Sequence, residues 1–163
     1  MPEISLFGWF HTVVGVLALL TGFYTLAKFK VISFGQVTGK AYLLLTLVAA
    51  ASALGIYKHG GFGVAHGLAV LTILAVLVGA IAEKTQVFGK LSRYLQAASY
   101  SATLLFHMIP AITDGLMRLP PDSPIVTSIE SPLLQGFYLA FLLTYLIGFG
   151  LQVAWLCKSA EQE

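Results

Sequence analysis

Almost every charge in this chain is confined to short segments between long apolar runs, and that arrangement dictates the solvent it can fold in. The runs cover residues 5–27, 41–57, 64–82, 91–112 and 133–156. Each is long enough to cross roughly 30 Å of hydrocarbon as a helix rising about 1.5 Å per residue. Only 10% of the 163 residues are charged and 58% are hydrophobic, where a soluble domain carries about 25% and 45–50%. The pattern predicts an all-α integral membrane bundle of five transmembrane helices, a single domain over residues 1–163 with the lipid bilayer as its first partner. Too little chain lies outside the runs for a separate soluble domain.

The leader Met1-Pro2-Glu3 is acidic, where a cleaved signal needs positive charge, so the first run is expected to stay as a span. Cys157 is the only cysteine, which excludes an intramolecular disulfide and a CxxC redox pair. The net charge of +2 gives no reason to expect nucleic acid, because topology accounts for the basic residues.

Five spans put the termini on opposite sides. One side collects Lys28, Lys30, Lys40, Lys84, Lys90, Arg93 and Lys158, and the other holds Lys58 and Arg118 with Glu3, Asp114, Asp122 and Glu130. Basic residues in short loops mark the cytoplasmic face, so the N-terminus is expected outside and the C-terminus inside. Trp9 and Trp155 lie near opposite ends of their runs, as interfacial anchors do. The turns fall at 29–40 and 83–90 inside and at 58–63 and 113–132 outside. The last contains Pro120-Pro121-Asp122-Ser123-Pro124, which reads as a stiff connector or, alternatively, as a lid.

Two short strings resemble each other across the inner turns: Phe34-Gly35-Gln36-Val37-Thr38 and Phe88-Gly89-Lys90-Leu91-Ser92, about 54 positions apart. They suggest a duplicated helical hairpin, spans one–two and three–four, with a fifth helix appended; parallel repeats of this kind recur in membrane folds.

The faces of the helices can also be read. Gly8, His11, Gly15, Ala18, Gly22 and Thr25 form one stripe of small residues on the first run, which predicts the seam along which a neighbour packs. Arg93, Gln96, Tyr100, Thr103 and His107 form a polar stripe on the fourth, continued by Asp114 past Pro110. Polar groups facing hydrocarbon would cost several kcal/mol each, so this stripe must face the bundle interior or a wet cavity. Pro110 predicts a kink beside His107. Tyr42, Thr46, Ala49 and Ala53 on the second run, and Tyr138, Tyr145 and Gln152 on the fifth, complete the interior.

All four histidines fall on the outer side. His11, His66 and His107 lie within the outer ends of three runs, and His59 sits in the loop above. Neutral imidazole is the commonest metal ligand and a usual axial ligand of haem iron. Two facing histidines suit haem b; His11, His66 and His107 with water or Asp114 suit a transition metal such as zinc or copper. A quinone is a further candidate ligand. Tyr57, Tyr100 and Tyr138 are the cofactor-lining candidates beside the histidines, with Tyr57, Tyr138 and Asp114 placed to orient the rings. Against these stands the plain alternative that the histidines are neutral hydrogen-bonding residues joining helices.

Other chemistries lack their parts. No Walker phosphate loop, HExxH or Gly-x-Ser-x-Gly is present. No acidic residue is expected at mid-depth, which disfavours ion-coupled transport.

The string His11-Thr12-Val13-Val14-Gly15-Val16-Leu17-Ala18-Leu19-Leu20-Thr21-Gly22, followed by Gly39-Lys40-Ala41-Tyr42, resembles a family of uncharacterised bacterial multi-pass membrane proteins of unknown function. The likeness covers mainly the first third of the chain and implies a bacterial inner-membrane setting without an established activity. Members often carry a histidine or further basic residues at the inner turns; here Lys28 and Lys30 occupy that region. Two functions are therefore expected to compete. One is a haem- or metal-binding envelope redox protein; the other is a non-catalytic membrane subunit or assembly factor, working with other membrane subunits or as a homo-oligomer.

Overall fold

The computed structural model describes residues 4–57 and 61–160. They form five long helices: α1 Leu6–Phe29, α2 Val37–Leu54, α3 Val64–Thr85, α4 Ser92–Arg118 and α5 Pro132–Ala160, with a 3-10 turn at Gly89–Leu91. No strand occurs among the described residues. Lys58 and His59 lie outside the described residues, as does Glu3.

Local chemistry sets the ends. The hydroxyl of Ser5 accepts from the Gly8 N–H at 3.1 Å, satisfying a donor at the open N-terminus of α1. Lys30 (φ 68°) and Gln86 (φ 52°) are left-handed C-caps that stop α1 and α3. Residues 37–40 are helical in spite of Gly39, so the turn between α1 and α2 is shorter than its sequence suggests. α4 also runs on through Pro110 to Arg118, leaving 119–131 as the connector. That connector is pinned to the last turn of α4, where the Val126 N–H donates to the Leu116 carbonyl at 3.1 Å, and Val126 is buried.

Four of the helices, α1, α2, α3 and α5, are long and apolar enough to cross a membrane. α4 is as long but falls short on apolarity, because its polar stripe is included in the count. The bundle is inside-out by the standards of a water-soluble protein. Thr25, Thr46, Thr72, Ser92, Ser101, Thr103 and Gln152 are buried, while Leu20, Phe23, Leu71, Leu146, Ile147 and Leu151 are exposed. Exposing such side chains to water forfeits about 1.5–3 kcal/mol each, so lipid is the solvent this surface fits.

α1 packs along α2 and α3 along α4, while α2 joins the two pairs and α5 lies on α4. In both pairs a tyrosine ring of the second helix rests on a glycine of the first: Tyr42 on Gly22 and Tyr100 on Gly79. A Cβ at Gly22 would come within 2.8 Å of the Tyr42 ring and the Leu104 side chain. The buried line of α1 is Val14, Ala18, Gly22 and Thr25. Gly15 is not on it, because a Cβ there meets nothing within 4 Å. The expected seam therefore holds at Ala18, Gly22 and Thr25 and moves from Gly15 to Val14, because a strict three/four alternation drifts off an untwisted helix and the contact follows spacings of four, four and three.

Candidate functional site

The polar side chains of the interior converge on one short turn. Residues 30–36, between α1 and α2, fold back under the lysine-rich end of the bundle, with Ile32 fully buried. Their backbone groups would be orphaned there without partners. Three other helices supply them. Gln152 of α5 donates to the Lys30 carbonyl at 2.8 Å. Gln96 of α4 donates to the Ile32 carbonyl at 2.9 Å. Glu83 of α3 accepts from the Ser33 hydroxyl at 2.6 Å and the Phe34 N–H at 2.9 Å. Its second oxygen accepts from the Tyr100 hydroxyl at 2.9 Å.

From Gln96 to His107 the stripe on α4 thus faces the interior as expected, whereas Arg93 lies beside the Tyr94 ring and Asp114 is half-exposed. Gln96 and Tyr100 serve the clasp, Thr103 bonds Tyr42, and His107 lies 3.1 Å from the Thr46 hydroxyl. Tyr145 donates to the Ala98 carbonyl at 3.2 Å and Gln152 accepts from Ser101 at 2.9 Å. Glu83 was missed because the third run was ended at residue 82, which assigned this acid to the turn. The signal was present in the neighbouring stripe, whose Tyr100 hydroxyl needed an acceptor at that level.

The histidines divide into a pair and an outlier. His11 Nδ1 lies 3.0 Å from both the Ala49 carbonyl and the Ser52 hydroxyl of α2. A carbonyl can only accept, so Nδ1 of the neutral ring carries the proton and Nε2 is the basic nitrogen. His107 reaches the same helix at Thr46, about one to two turns from Ala49 and Ser52.

His66 is different. Its Nδ1 accepts from the N–H of Gly63, the residue that caps α3, at 3.1 Å. The proton of the neutral ring is therefore on Nε2, which then has no lone pair for a metal. The ring is stacked on Phe62 and tilted against Tyr57, with centroids 5.0 and 4.8 Å away. The expected ligand role of His66 conflicts with this cap.

The remaining candidates also have other partners. Tyr100 serves Glu83, and Tyr138 shares a 2.6 Å hydrogen bond with Thr113 that joins α5 to α4. Asp114 forms an ion pair with Arg118 one turn on, at 3.7 Å. Among the described residues no three His, Cys, Asp or Glu side chains are grouped as a metal site requires. The expected set of His11, His66, His107 and Asp114 is not gathered; His11 and His107 share only the helix they bond, α2. His59 lies outside the described residues.

Comparison with family models, curated proteins and solved structures finds no match to this chain.

Proposed function

We propose that the chain is a five-span protein of the bacterial inner membrane, N-terminus outside, acting as a non-catalytic membrane subunit or assembly factor. The observation that carries this reading is the use made of the interior polar groups. Glu83, Gln96, Tyr100, Thr103 and Gln152 each hydrogen-bond another helix or the 30–36 turn. Such groups in a membrane interior act as glue between helices. A chemistry that needed to bind and release protons or substrate would leave some of them facing a cavity.

The membrane arrangement has its own support. α4 spends its polar side chains inside the bundle, and its 27 residues extend about 40 Å, enough to cross. Lys28, Lys40, Lys84, Lys90, Arg93 and Lys158 fall at the helix ends on the side of the 30–36 turn, and Arg118 at the other, which agrees with a cytoplasmic turn. The matching placements of Tyr42 on Gly22 and Tyr100 on Gly79, with left-handed caps at Lys30 and Gln86, support a duplicated hairpin with α5 appended.

A second reading is favoured by one observation. Ligating histidines usually donate their other ring nitrogen to a carbonyl or carboxylate, as His11 does to Ala49. With His107 bonded to the same helix at Thr46, this pair is where haem b or a transition metal would be held, in an envelope redox role. The absorption spectrum of the purified protein, with metal analysis, separates the two. The subunit reading expects neither a Soret band nor stoichiometric metal. A chromophore or bound metal that disappears in His11→Ala would overturn it in favour of the second.

A further inference from the structure

A pocket of about 310 Å³ opens at the lysine-rich end, where the turn between α3 and α4 meets the end of α5. Gln86, Gly89, Lys90, Arg93 and Ala160 line it. Among the described residues, both charged members of this lining are cations. Arg93 is held in place: its Nη2 donates to the Tyr94 hydroxyl at 3.0 Å, and its guanidinium lies 4.9 Å above the Tyr94 ring. Its Nε is buried and has no hydrogen-bond acceptor among the described residues. The amide nitrogen of Gln86 is already committed to the carbonyls of Ala82 and Glu83, at 3.3 and 3.0 Å. At Gly89 a Cβ would project into open space, so the backbone is bare on that side.

A guanidinium anchored on Tyr94 and a lysine lining one pocket, with no carboxylate among the described lining residues, together describe a site for an oxyanion. Arginine recognises phosphate through its fixed fork of donors, and lysine adds a flexible point charge. The pocket also lies where three helices end, at the level of lipid headgroups in a spanning bundle. Basic pockets between helices on the cytoplasmic side hold anionic headgroups. We infer that this pocket binds the phosphate of an anionic phospholipid, with Arg93 and Lys90 as its donors. The inference rests on the membrane-spanning reading above.

The test uses the full-length protein in an uncharged detergent, with phosphatidylglycerol, phosphatidylcholine or inorganic phosphate added. Bound lipid is read by native mass spectrometry and thermal stability is followed in parallel. Phosphatidylglycerol should be retained and should raise Tm, and phosphatidylcholine should do neither. Lys90→Ala and Arg93→Gln should each weaken phosphatidylglycerol binding about ten-fold, while Lys28→Ala and Lys40→Ala at the same end should not. Lys90 is exposed, so its variant decides the matter if Arg93→Gln fails to fold. Equal losses in the Lys28 and Lys40 variants, equal binding of phosphatidylcholine, or inorganic phosphate binding without any preference for anionic lipid would each overturn the inference. A protein that needs detergent to stay in solution yet ignores phosphatidylglycerol sinks only this inference; one that needs no detergent sinks the membrane reading itself.

Discussion

Gln152 of the last helix donates its amide N–H to the carbonyl of Lys30, 2.8 Å away in space and 122 positions away in sequence. The same carboxamide accepts from Ser101 of α4 at 2.9 Å. One side chain thus closes the bundle, linking α5 and α4 to the cap of α1. Because α5 otherwise rests mainly on α4, this link fixes the last helix to the rest of the fold.

Gln152→Leu keeps the bulk and removes both bonds. It should destabilise the protein by about 1–2 kcal/mol, given the worth of helix-to-helix hydrogen bonds in membranes. Thermal unfolding in detergent, with Gln135→Leu on the exposed surface as the comparison, checks this. Equal Tm values for the two variants would remove Gln152 from the clasp.

Glu83→Ala should do more local damage. It leaves the Ser33 hydroxyl, the Phe34 N–H and the Tyr100 hydroxyl without their acceptor, and unsatisfied buried donors cost about 1–3 kcal/mol each. The 30–36 turn should loosen first, so trypsin should cut after Lys28 or Lys30 faster than in the parent, while Glu130→Ala leaves the rate unchanged. An unaltered digestion pattern in Glu83→Ala would contradict the network.

Two glycines that look alike in sequence should behave differently. Gly79→Ala pushes a methyl group into the ring of Tyr100, and such overpacking costs about 1–3 kcal/mol. Gly15→Ala meets open space and should leave the stability within about 0.5 kcal/mol of the parent's. A larger loss from Gly15→Ala than from Gly79→Ala would mean the seam is wrongly placed.

Topology gives the fourth prediction. Single cysteines introduced in a Cys157→Ser background at Asp122 and Gln86 should label from opposite sides of sealed cells. Asp122, in the connector after α4, should react with a membrane-impermeant maleimide from outside, and Gln86 should not. Reversed labelling would invert the orientation; labelling of both from outside would remove α4 from the spans.

The element list and the polarity of each face were legible in the chain because lipid imposes a simple code. A helix must satisfy its own backbone, so length and apolarity alone mark α1, α2, α3 and α5. The stripe from Gln96 to His107 had to turn inward for the same reason, and it does. What the sequence could not decide was which polar group meets which. Glu83 reaches the 30–36 turn across about 50 positions of chain, and Gln152 reaches it across more than twice that; hydrogen bonds between distant residues leave no periodic trace. The tautomers of His11 and His66 were equally hidden. Both are histidines near the end of an apolar run, yet a carbonyl faces one ring and an N–H faces the other, so the proton sits on opposite nitrogens. Periodicity placed them at similar depth, and only the packing of α2 beside α1, and the cap at Gly63, decided which ring keeps a lone pair at Nε2.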